Sequence, residues 1–259
     1  MSVAFSQTSK ADSLTPTAQD NLSVRLRRSS DLIPVSDGYM RVFEYYDNRF
    51  QITGKKEIAM ELPLWGGFYA GSDGYYLVEG QNNTAEDSSA EVIRVIRYDT
   101  NWNRNGAASI TSNPDLFGGE VRYPFDYGCV EMTETNGTLY IVTAHEGYVD
   151  PSVGQGHQGF LMIAVNQASM TGKIVRSDLW HSFAQYIKSN SSNLYVLEQS
   201  EGSRCTKLSR YDSTTLEKKT IELLSYGGSR TSVWALPCYA SVDGMAVSSD
   251  NVLCIGTTI

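Results

Sequence analysis

The sequence predicts an all-β protein whose four-stranded antiparallel sheets recur along the chain, as in a β-propeller. Strand signals alternate with turn signals, and almost no segment shows the 3.6-residue period of an amphipathic helix. Three hairpins share one pattern: RVFEYYDNRFQITGKKEI from Arg41, RVIRYDTNWNRNGAASI from Arg94 and KLSRYDSTTLEKKTIEL from Lys207. Their turns, with a related one at Asn166, lie about 46 to 67 residues apart, a period typical of propellers and solenoids.

A second hairpin precedes each turn of this series and supplies the other two strands of the repeat. These hairpins read FYAGSDGYYLVEG, VEMTETNGTLYIVTA, FAQYIKSNSSNLYVLEQ and YASVDGMAVSSDNVLCIG. Each has Gly, Asn or Asp between its two strands, as tight turns require. Two hairpins make four antiparallel strands, which is the content of one propeller blade.

The predicted blades begin after a polar N-terminal tail or linker over residues 1–30, and the propeller domain covers residues 31–259. The second blade spans Gly66–Ile110, the third Gly128–Ser177 and the fourth His181–Leu224. The first blade has one clear hairpin, and the fifth stops after its second strand at Ile259. Because a long apolar edge such as NVLCIGTTI is rarely left unpaired, the sequence predicts an incomplete propeller of about four to five blades. The remaining blades would come from a longer parent chain.

Composition excludes several classes of partner. The net charge is −8 and the isoelectric point is near 4.9, so the chain repels nucleic acid on average. No segment approaches the ~18 apolar residues of a membrane span, and the opening MSVAFSQTSKADSLTPTAQDN lacks the apolar stretch of a signal peptide. Cys129, Cys205, Cys238 and Cys254 show no CxxC spacing, which favours buried free thiols; a Cys238–Cys254 bridge is the alternative.

Several longer stretches resemble one known group of proteins. They read MELPLWGGFYAG, AEVIRVIRYDTNW, GGEVRYPFDYG, HEGY, GHQGFLMIAVNQASMTGKI and HSFAQYI. These stretches resemble the sequences of uncharacterised β-propeller modules of large cell-surface or secreted proteins of Gram-positive bacteria, and the resemblance covers roughly residues 32–259. The resemblance implies a propeller fold and an extracellular or cell-surface setting. It implies no activity.

The three histidines of the chain fall at equivalent ends of predicted strands. His145 lies where the second strand of the third blade ends, His157 where its third strand begins, and His181 where the next blade begins. Because these connections share one face of an antiparallel blade, we expect the three side chains at one face. Glu146, Gln158 and Gln185 would lie within reach of them.

Two chemistries suit this predicted cluster. The imidazoles could donate hydrogen bonds to a sugar or a carboxylate, or His145, His157 and His181 could hold zinc, manganese or a related divalent ion with one open position. The alternative is that they are ordinary residues capping strand ends. Trp65 and Trp180, just before two first strands, are predicted either to stack on sugar rings or to pack between blades.

The motif content favours binding over catalysis. No GxxxxGK[ST], GxGxxG, GxSxG or HExxH pattern occurs, and no catalytic residue is predicted. The predicted function is noncovalent binding of a glycan or protein at the loop face, in a bacterial surface or secreted protein. The alternative is a metal-assisted polysaccharide lyase or hydrolase that uses the histidine cluster. No cofactor is expected beyond that divalent ion.

Overall fold

The computed structural model describes residues 40–112, 121–125, 130–150, 152, 154–178, 182–200, 205–225 and 240–258, and the backbone of 23–26. These residues form strands and turns, with no helix among them. The strands are β1 (Ser23–Leu26), β2 (Met40–Tyr46), β3 (Ile52–Ala59), β4 (Leu64–Gly71), β5 (Gly74–Gly80), β6 (Glu91–Tyr98), β7 (Arg104–Thr111), β8 (Tyr123–Pro124), β9 (Glu131–Thr135), β10 (Thr138–Asp150), β11 (Gln155–Asn166), β12 (Thr171–Asp178), β13 (Ser182–Ser189), β14 (Asn193–Ser200), β15 (Cys205–Asp212), β16 (Lys218–Ser225), β17 (Ala240–Val247) and β18 (Val252–Thr258).

The strands pair in chain order into five antiparallel sheets. Sheet 1 contains β1–β3, sheet 2 contains β4–β7, sheet 3 contains β8–β12, sheet 4 contains β13–β16 and sheet 5 contains β17 and β18. In sheet 3, β9 and β8 both pair with β10 at different heights, so β9 takes the place of a first strand. The predicted all-β class and the antiparallel order are confirmed. The described residues do not form a closed ring.

Strand boundaries follow the predicted repeats closely. Sheets 2 and 4 match the bounds predicted for the second and fourth repeats, and sheet 5 has the two strands predicted for it. Sheet 3 contains the strands predicted for the third repeat and adds β8, which precedes the predicted bounds. The N-terminal segment differs from the prediction. Within the segment predicted as a polar tail, Ser23–Leu26 forms β1 and pairs with Phe43–Tyr46 of β2. The alternation in SVRL spans only four residues, too few to show a period-2 pattern.

The core lies between successive sheets rather than within one. Separate apolar clusters join sheets 1 and 2, sheets 2 and 3, sheets 3 and 4, and sheets 4 and 5. The first strands β4, β9, β13 and β17 contact one another in succession, and the outer strands β7 and β12 also meet. Each inner sheet is therefore apolar on both faces, which explains why strands such as EVIRVIRY have buried residues on both sides.

The turn between the third and fourth strands of sheets 2, 3 and 4 has the same construction as the β2–β3 turn of sheet 1, and we call all four third–fourth-strand turns. A side-chain oxygen of Asp47, Asp99, Asn166 or Asp212 accepts backbone N–H bonds from residues two to four positions later. Aspartate and asparagine favour such turns because their short side chains reach the following backbone amides. The repeated polar residue predicted from sequence is thus the anchor of each turn.

Each of these turns ends with a residue in the left-handed backbone conformation. The residues are Phe50 (φ 59°), Trp102 (φ 64°), Met170 (φ 50°) and Leu216 (φ 57°). Large side chains rarely adopt this conformation, so tertiary packing must stabilise it. The Trp102 side chain, for example, is buried between sheets 1 and 2.

Two further expectations concern the cysteines and the membrane. Cys205 is a buried free thiol, as predicted, and Cys254 is a free thiol of intermediate exposure. Cys129 and Cys238 lie outside the described residues. In the part of the chain that the structure describes, no helix is long and apolar enough to span a bilayer.

Candidate ligand site at the loop end of the sheets

Antiparallel order gives every sheet two different ends. The turns between the first and second strands and between the third and fourth strands lie at one end, here called the turn end. The connections between the second and third strands, and those between successive sheets, lie at the opposite end, here called the loop end. His145, Glu146, His157 and Gln158 all lie at the loop end, as the sequence predicted.

The second strands change from apolar to polar as they approach the loop end. On the face that packs against the preceding sheet, apolar residues are followed by Glu79 in β5, Thr143 and His145 in β10, and Glu198 and Ser200 in β14. All five side chains are buried. Because buried polar groups are costly unless they are hydrogen-bonded, this buried polar belt across three sheet interfaces is unlike a pure packing core.

His145 is the most isolated member of the belt. Its side chain is 0% exposed, and it lies opposite Gly159 of β11 and Pro124 of β8. A Cβ at Gly159 would lie 1.8 Å from the Asp178 carbonyl oxygen and 3.2 Å from His145 Nε2, so only glycine fits beside the ring. Neither ring nitrogen has a hydrogen-bond partner among the described residues.

Burial fixes the protonation state of this histidine. Removal from water lowers the pKa of His145 from its ordinary value of 6.5 to about 4. The backbone of Glu146 opposes the change slightly without forming a hydrogen bond of normal geometry. At neutral pH the imidazole is therefore neutral, with one N–H donor and one acceptor nitrogen.

Strand alternation divides the predicted site residues between two faces of sheet 3. His145 lies opposite Gly159, so it shares a face with His157 two residues away, and this face packs on sheet 2. Glu146 lies opposite Gln158, and both belong to the other face. His157, Glu146 and Gln158 are partly exposed.

Gln185 belongs to sheet 4 and is separated from His145 by sheet 3. Its side chain is fully buried, and its strand position lies opposite Glu198. That face of sheet 4 packs against the Phe160 face of sheet 3, whereas His145 lies on the other face of sheet 3. The structure thus brings His145 and His157 together on one face and places Gln185 in the next interface.

An arginine joins three chain segments at the exposed edge of the site. The Arg122 guanidinium contacts Glu146 Oε1 at 2.8 Å and Glu86 Oε1 at 3.1 Å. Its backbone N–H donates to the Glu146 carbonyl, and its own carbonyl accepts from the Asn83 N–H, both at 2.8 Å. The guanidinium also lies 5.1 Å from the centre of the Tyr123 ring. This Arg122 cluster holds the β5–β6 connection against the end of β10.

Glu79 shows how the belt orders a neighbouring segment. Its Oε2 accepts the backbone N–H groups of Glu61 and Leu62 at 2.7 and 2.9 Å, whereas Oε1 has no partner among the described residues. Burial raises the pKa of Glu79, and the two backbone hydrogen bonds oppose that change. Trp65 lies opposite Glu79, and the Arg41 guanidinium is 4.8 Å from its ring centre. Trp65 thus packs in the core between sheets 1 and 2, which fits the packing alternative.

The turn end offers a contrast, because a side-chain network there satisfies its carboxylates; within this network, Arg97 Nε is the only atom that is buried without a hydrogen-bond partner among the described residues. Gln167 Nε2 donates to Glu134 Oε2 at 2.6 Å and to the Tyr76 hydroxyl at 3.1 Å. The Tyr76 hydroxyl donates to Asp73 Oδ1 at 2.8 Å, and Arg97 contacts Asp73 at 2.7 Å. This network of five side chains clamps sheets 2 and 3 together, and both carboxylate oxygens of Glu134 and of Asp73 have a hydrogen-bond or ion-pair partner.

Two predicted residues, Trp180 and His181, lie outside the described residues. Within the described ranges, no group of three or more His, Cys, Asp or Glu side chains could hold a metal ion. The three-histidine metal site therefore stays a prediction that depends on His181. Sequence reasoning missed Arg122, because a single arginine before a two-residue strand produces no periodic or motif signal.

No protein-family model matches the chain, and no curated protein matches it. Solved structures that resemble it include a Synechocystis apocarotenoid oxygenase variant, with 8% identity, a TM-score of 0.47, and coverage of 91% of this chain and 51% of the oxygenase. A putative exported protein from Bacteroides fragilis has 9% identity, a TM-score of 0.42 and coverage of 88% and 60%. Hsv2 from Kluyveromyces lactis has 10% identity, a TM-score of 0.32 and coverage of 93% and 84%. This chain spans about half the length of the apocarotenoid oxygenase.

Proposed function

We propose that this chain is a noncovalent glycan-binding module whose sheets are blades of a β-propeller. The propeller arrangement is supported by the four-stranded meander order of sheets 2 and 4 and by the succession of contacts among the first strands β4, β9, β13 and β17. Innermost strands meet in this way around the axis of a propeller. Fold alone does not fix function, so the ligand is argued from the loop end.

The buried polar belt is the observation that carries the proposal. It recurs at one end of three consecutive interfaces, and at His145 and Glu79 it leaves polar atoms without partners among the described residues. At the turn end, by contrast, both carboxylate oxygens of Glu134 and of Asp73 have partners. Proteins most often leave buried polar groups unsatisfied at functional sites, so the recurrence of such groups at one end of successive sheets points to a site there.

The chemistry of the exposed edge favours a hydroxyl-rich, uncharged ligand. Glu146 accepts hydrogen bonds and Gln158 both donates and accepts, and both are partly exposed on one face of sheet 3. Neutral His145 is buried on the other face and does not reach this edge. Sugar hydroxyls also donate and accept. Tyr123, held by Arg122, adds an aromatic face of the kind that covers the apolar side of a pyranose ring.

The setting we propose is the surface of a Gram-positive bacterium or its secreted proteins. The resemblance of the quoted stretches to surface propeller modules supports this setting. Further blades of the same parent chain would complete the ring. Nucleic acid is not among the proposed partners, because a chain with a net charge of −8 repels a polyanion on average.

The test is a glycan array together with a pull-down on cell-wall polysaccharide from Gram-positive bacteria. Gln158→Ala should weaken binding about tenfold, equivalent to the loss of one hydrogen bond worth about 1.4 kcal/mol. Gln51→Ala is the matched control, because Gln51 is exposed at the turn end, and it should bind like the wild type. Equal losses in both variants, or retention of a protein but no glycan, would contradict the proposal.

A metal-assisted polysaccharide lyase or hydrolase is the second candidate. It is favoured by one observation: His145 and His157 share a strand face at the loop end. Titration calorimetry with zinc and manganese chloride, on the wild type and on His181→Ala, tests the metal. Stoichiometric binding that is lost in the variant, with chelator-sensitive release of an unsaturated product from uronic-acid polymers, would favour the enzyme. No metal binding would remove it.

A further inference from the structure

Successive sheets interlock through the left-handed residue of each third–fourth-strand turn. Trp102 of sheet 2 packs on Phe43 of sheet 1 with ring centres 4.4 Å apart, and its indole N–H donates to the Tyr45 hydroxyl. Met170 of sheet 3 lies against Gly106 of sheet 2, where a Cβ would come within 2.6 Å of the methionine Cγ. In both cases the turn residue lies on the outer two strands of the preceding sheet.

The third example joins sheets 3 and 4 in the same way. Leu216 of sheet 4 packs against the apolar cluster between sheets 3 and 4, as does Val175 of β12. The Leu216 carbonyl accepts a hydrogen bond from Arg176 Nη2 at 2.7 Å. Three consecutive interfaces thus share one device: an apolar side chain from the next sheet covers the outer strands of the sheet before it.

Sheet 4 has the receiving surface for this device, but no left-handed turn residue of sheet 5 lies on it among the residues that the structure describes. Leu208 faces sheet 5, and the register places Ile221 and Leu224 of β16 on the same face. Sheet 5 contacts β13 and β14. Ile221 remains 57% exposed and Leu224 43% exposed. These two residues, called here the β16 apolar surface, lie where a third–fourth-strand turn of sheet 5 would insert.

We propose that the β16 apolar surface is a docking site for one kind of partner, a third–fourth-strand hairpin of the same repeat. The chain itself shows what covers this surface, since three such hairpins already occupy the equivalent positions. The partner has an Asp or Asn turn that ends in a large apolar left-handed residue, and its strands continue sheet 5 beyond β18. The proposal rests on the repeat and is independent of the ligand.

A graft tests the site with the full chain. A copy of residues 81–111, which includes the β6–β7 hairpin and Trp102, is fused after Ile259. The matched control carries glycine at the copied tryptophan, because glycine accepts the left-handed conformation and leaves the turn intact. The tryptophan graft should melt at least about 5 °C above the glycine graft, since burial of an aromatic residue is worth several kcal/mol.

A second background assigns the effect to the β16 apolar surface. With Ile221→Ser and Leu224→Ser in the chain, the two grafts should melt at the same temperature. Equal melting of the grafts without these substitutions overturns the proposal. Should either graft fail to fold, cyclised peptides of residues 91–111, with Trp102 or with glycine, are added to the unextended chain. In that case, equal binding of the tryptophan and glycine peptides, or binding that Ile221→Ser does not weaken, would overturn the proposal.

Sedimentation of the unextended chain tests whether a second copy of the chain, rather than a further hairpin, covers the β16 apolar surface. Phe50 is the left-handed residue of sheet 1 and is 74% exposed, so a second copy of the chain could present it to the same surface. The chain should stay monomeric at concentrations used for melting. Concentration-dependent dimers that Phe50→Ser abolishes, together with equal melting of the two grafts, would assign the surface to a second copy and overturn the hairpin proposal.

Discussion

Replacement of His145 by leucine should flatten the dependence of stability on pH. The folded pKa of about 4 lies below the ordinary value of 6.5, so protonation favours the unfolded chain. The contribution of this group is complete above pH 6.5 and is lost as the pH falls toward 4. At about 1.36 kcal/mol per pKa unit, the full difference amounts to about 3 kcal/mol. The side chain is fully buried, so solvent screening does not reduce this value.

Urea denaturation between pH 7.5 and 4.5 measures the effect. Between pH 6.5 and 4.5 the free energy of unfolding should fall by about 2–3 kcal/mol more in the wild type than in His145→Leu. Carboxylates with lowered pKa values, such as Glu61 and Glu91, lose their contribution at lower pH and are common to both proteins. At pH 7.5 the two proteins should differ little, because leucine replaces a ring whose nitrogens have no partner among the described residues. Parallel pH profiles would refute the assignment of a buried neutral imidazole.

Three further predictions concern the sheet interfaces. Trp102→Ala should cost about 3–5 kcal/mol in urea denaturation, whereas Phe50→Ala, at the equivalent but exposed turn position, should cost less than about 0.5 kcal/mol; similar costs would contradict the interlock. Gly80→Ala should lower stability by about 1–3 kcal/mol, because a Cβ would lie 2.7 Å from Phe125 Cε2, and an unchanged melting temperature would mean that the ring moves freely. Arg122→Met should cost about 1.5–3 kcal/mol and speed proteolysis of the β5–β6 connection, and wild-type cleavage rates would show that the Arg122 cluster does not hold it.

The sheets could be predicted from the sequence because two local signals repeat. Apolar runs of seven or eight residues between turn residues mark the strands, and the Asp or Asn turn anchors recur where the third and fourth strands join. β1 lacks both signals, since it is four residues long and its only neighbour is distant in sequence. Its presence depends on pairing with β2, which no local pattern encodes.

The candidate site could be predicted only to the level of which sheet end it occupies. Strand topology places His145 and His157 at the loop end, and alternation then places Glu146 and Gln158 on the opposite face. The positions of strand ends in the sequence do not separate these faces, because the face of each side chain depends on the register between β10 and β11. Gln185 lies in the interface between sheets 3 and 4, and the sequence does not reveal this because it does not show which face of each sheet packs on the next.

The most direct measurement of the central claim is hydrogen exchange with and without a cell-wall glycan fragment selected on the array. The account predicts slower exchange confined to the loop end, at residues 83–86, 121–125, 144–147 and 156–159. It predicts no change at the third–fourth-strand turns, residues 47–51 and 99–103. Protection at those turns instead, or turnover of the glycan during the measurement, would contradict noncovalent binding at the loop end.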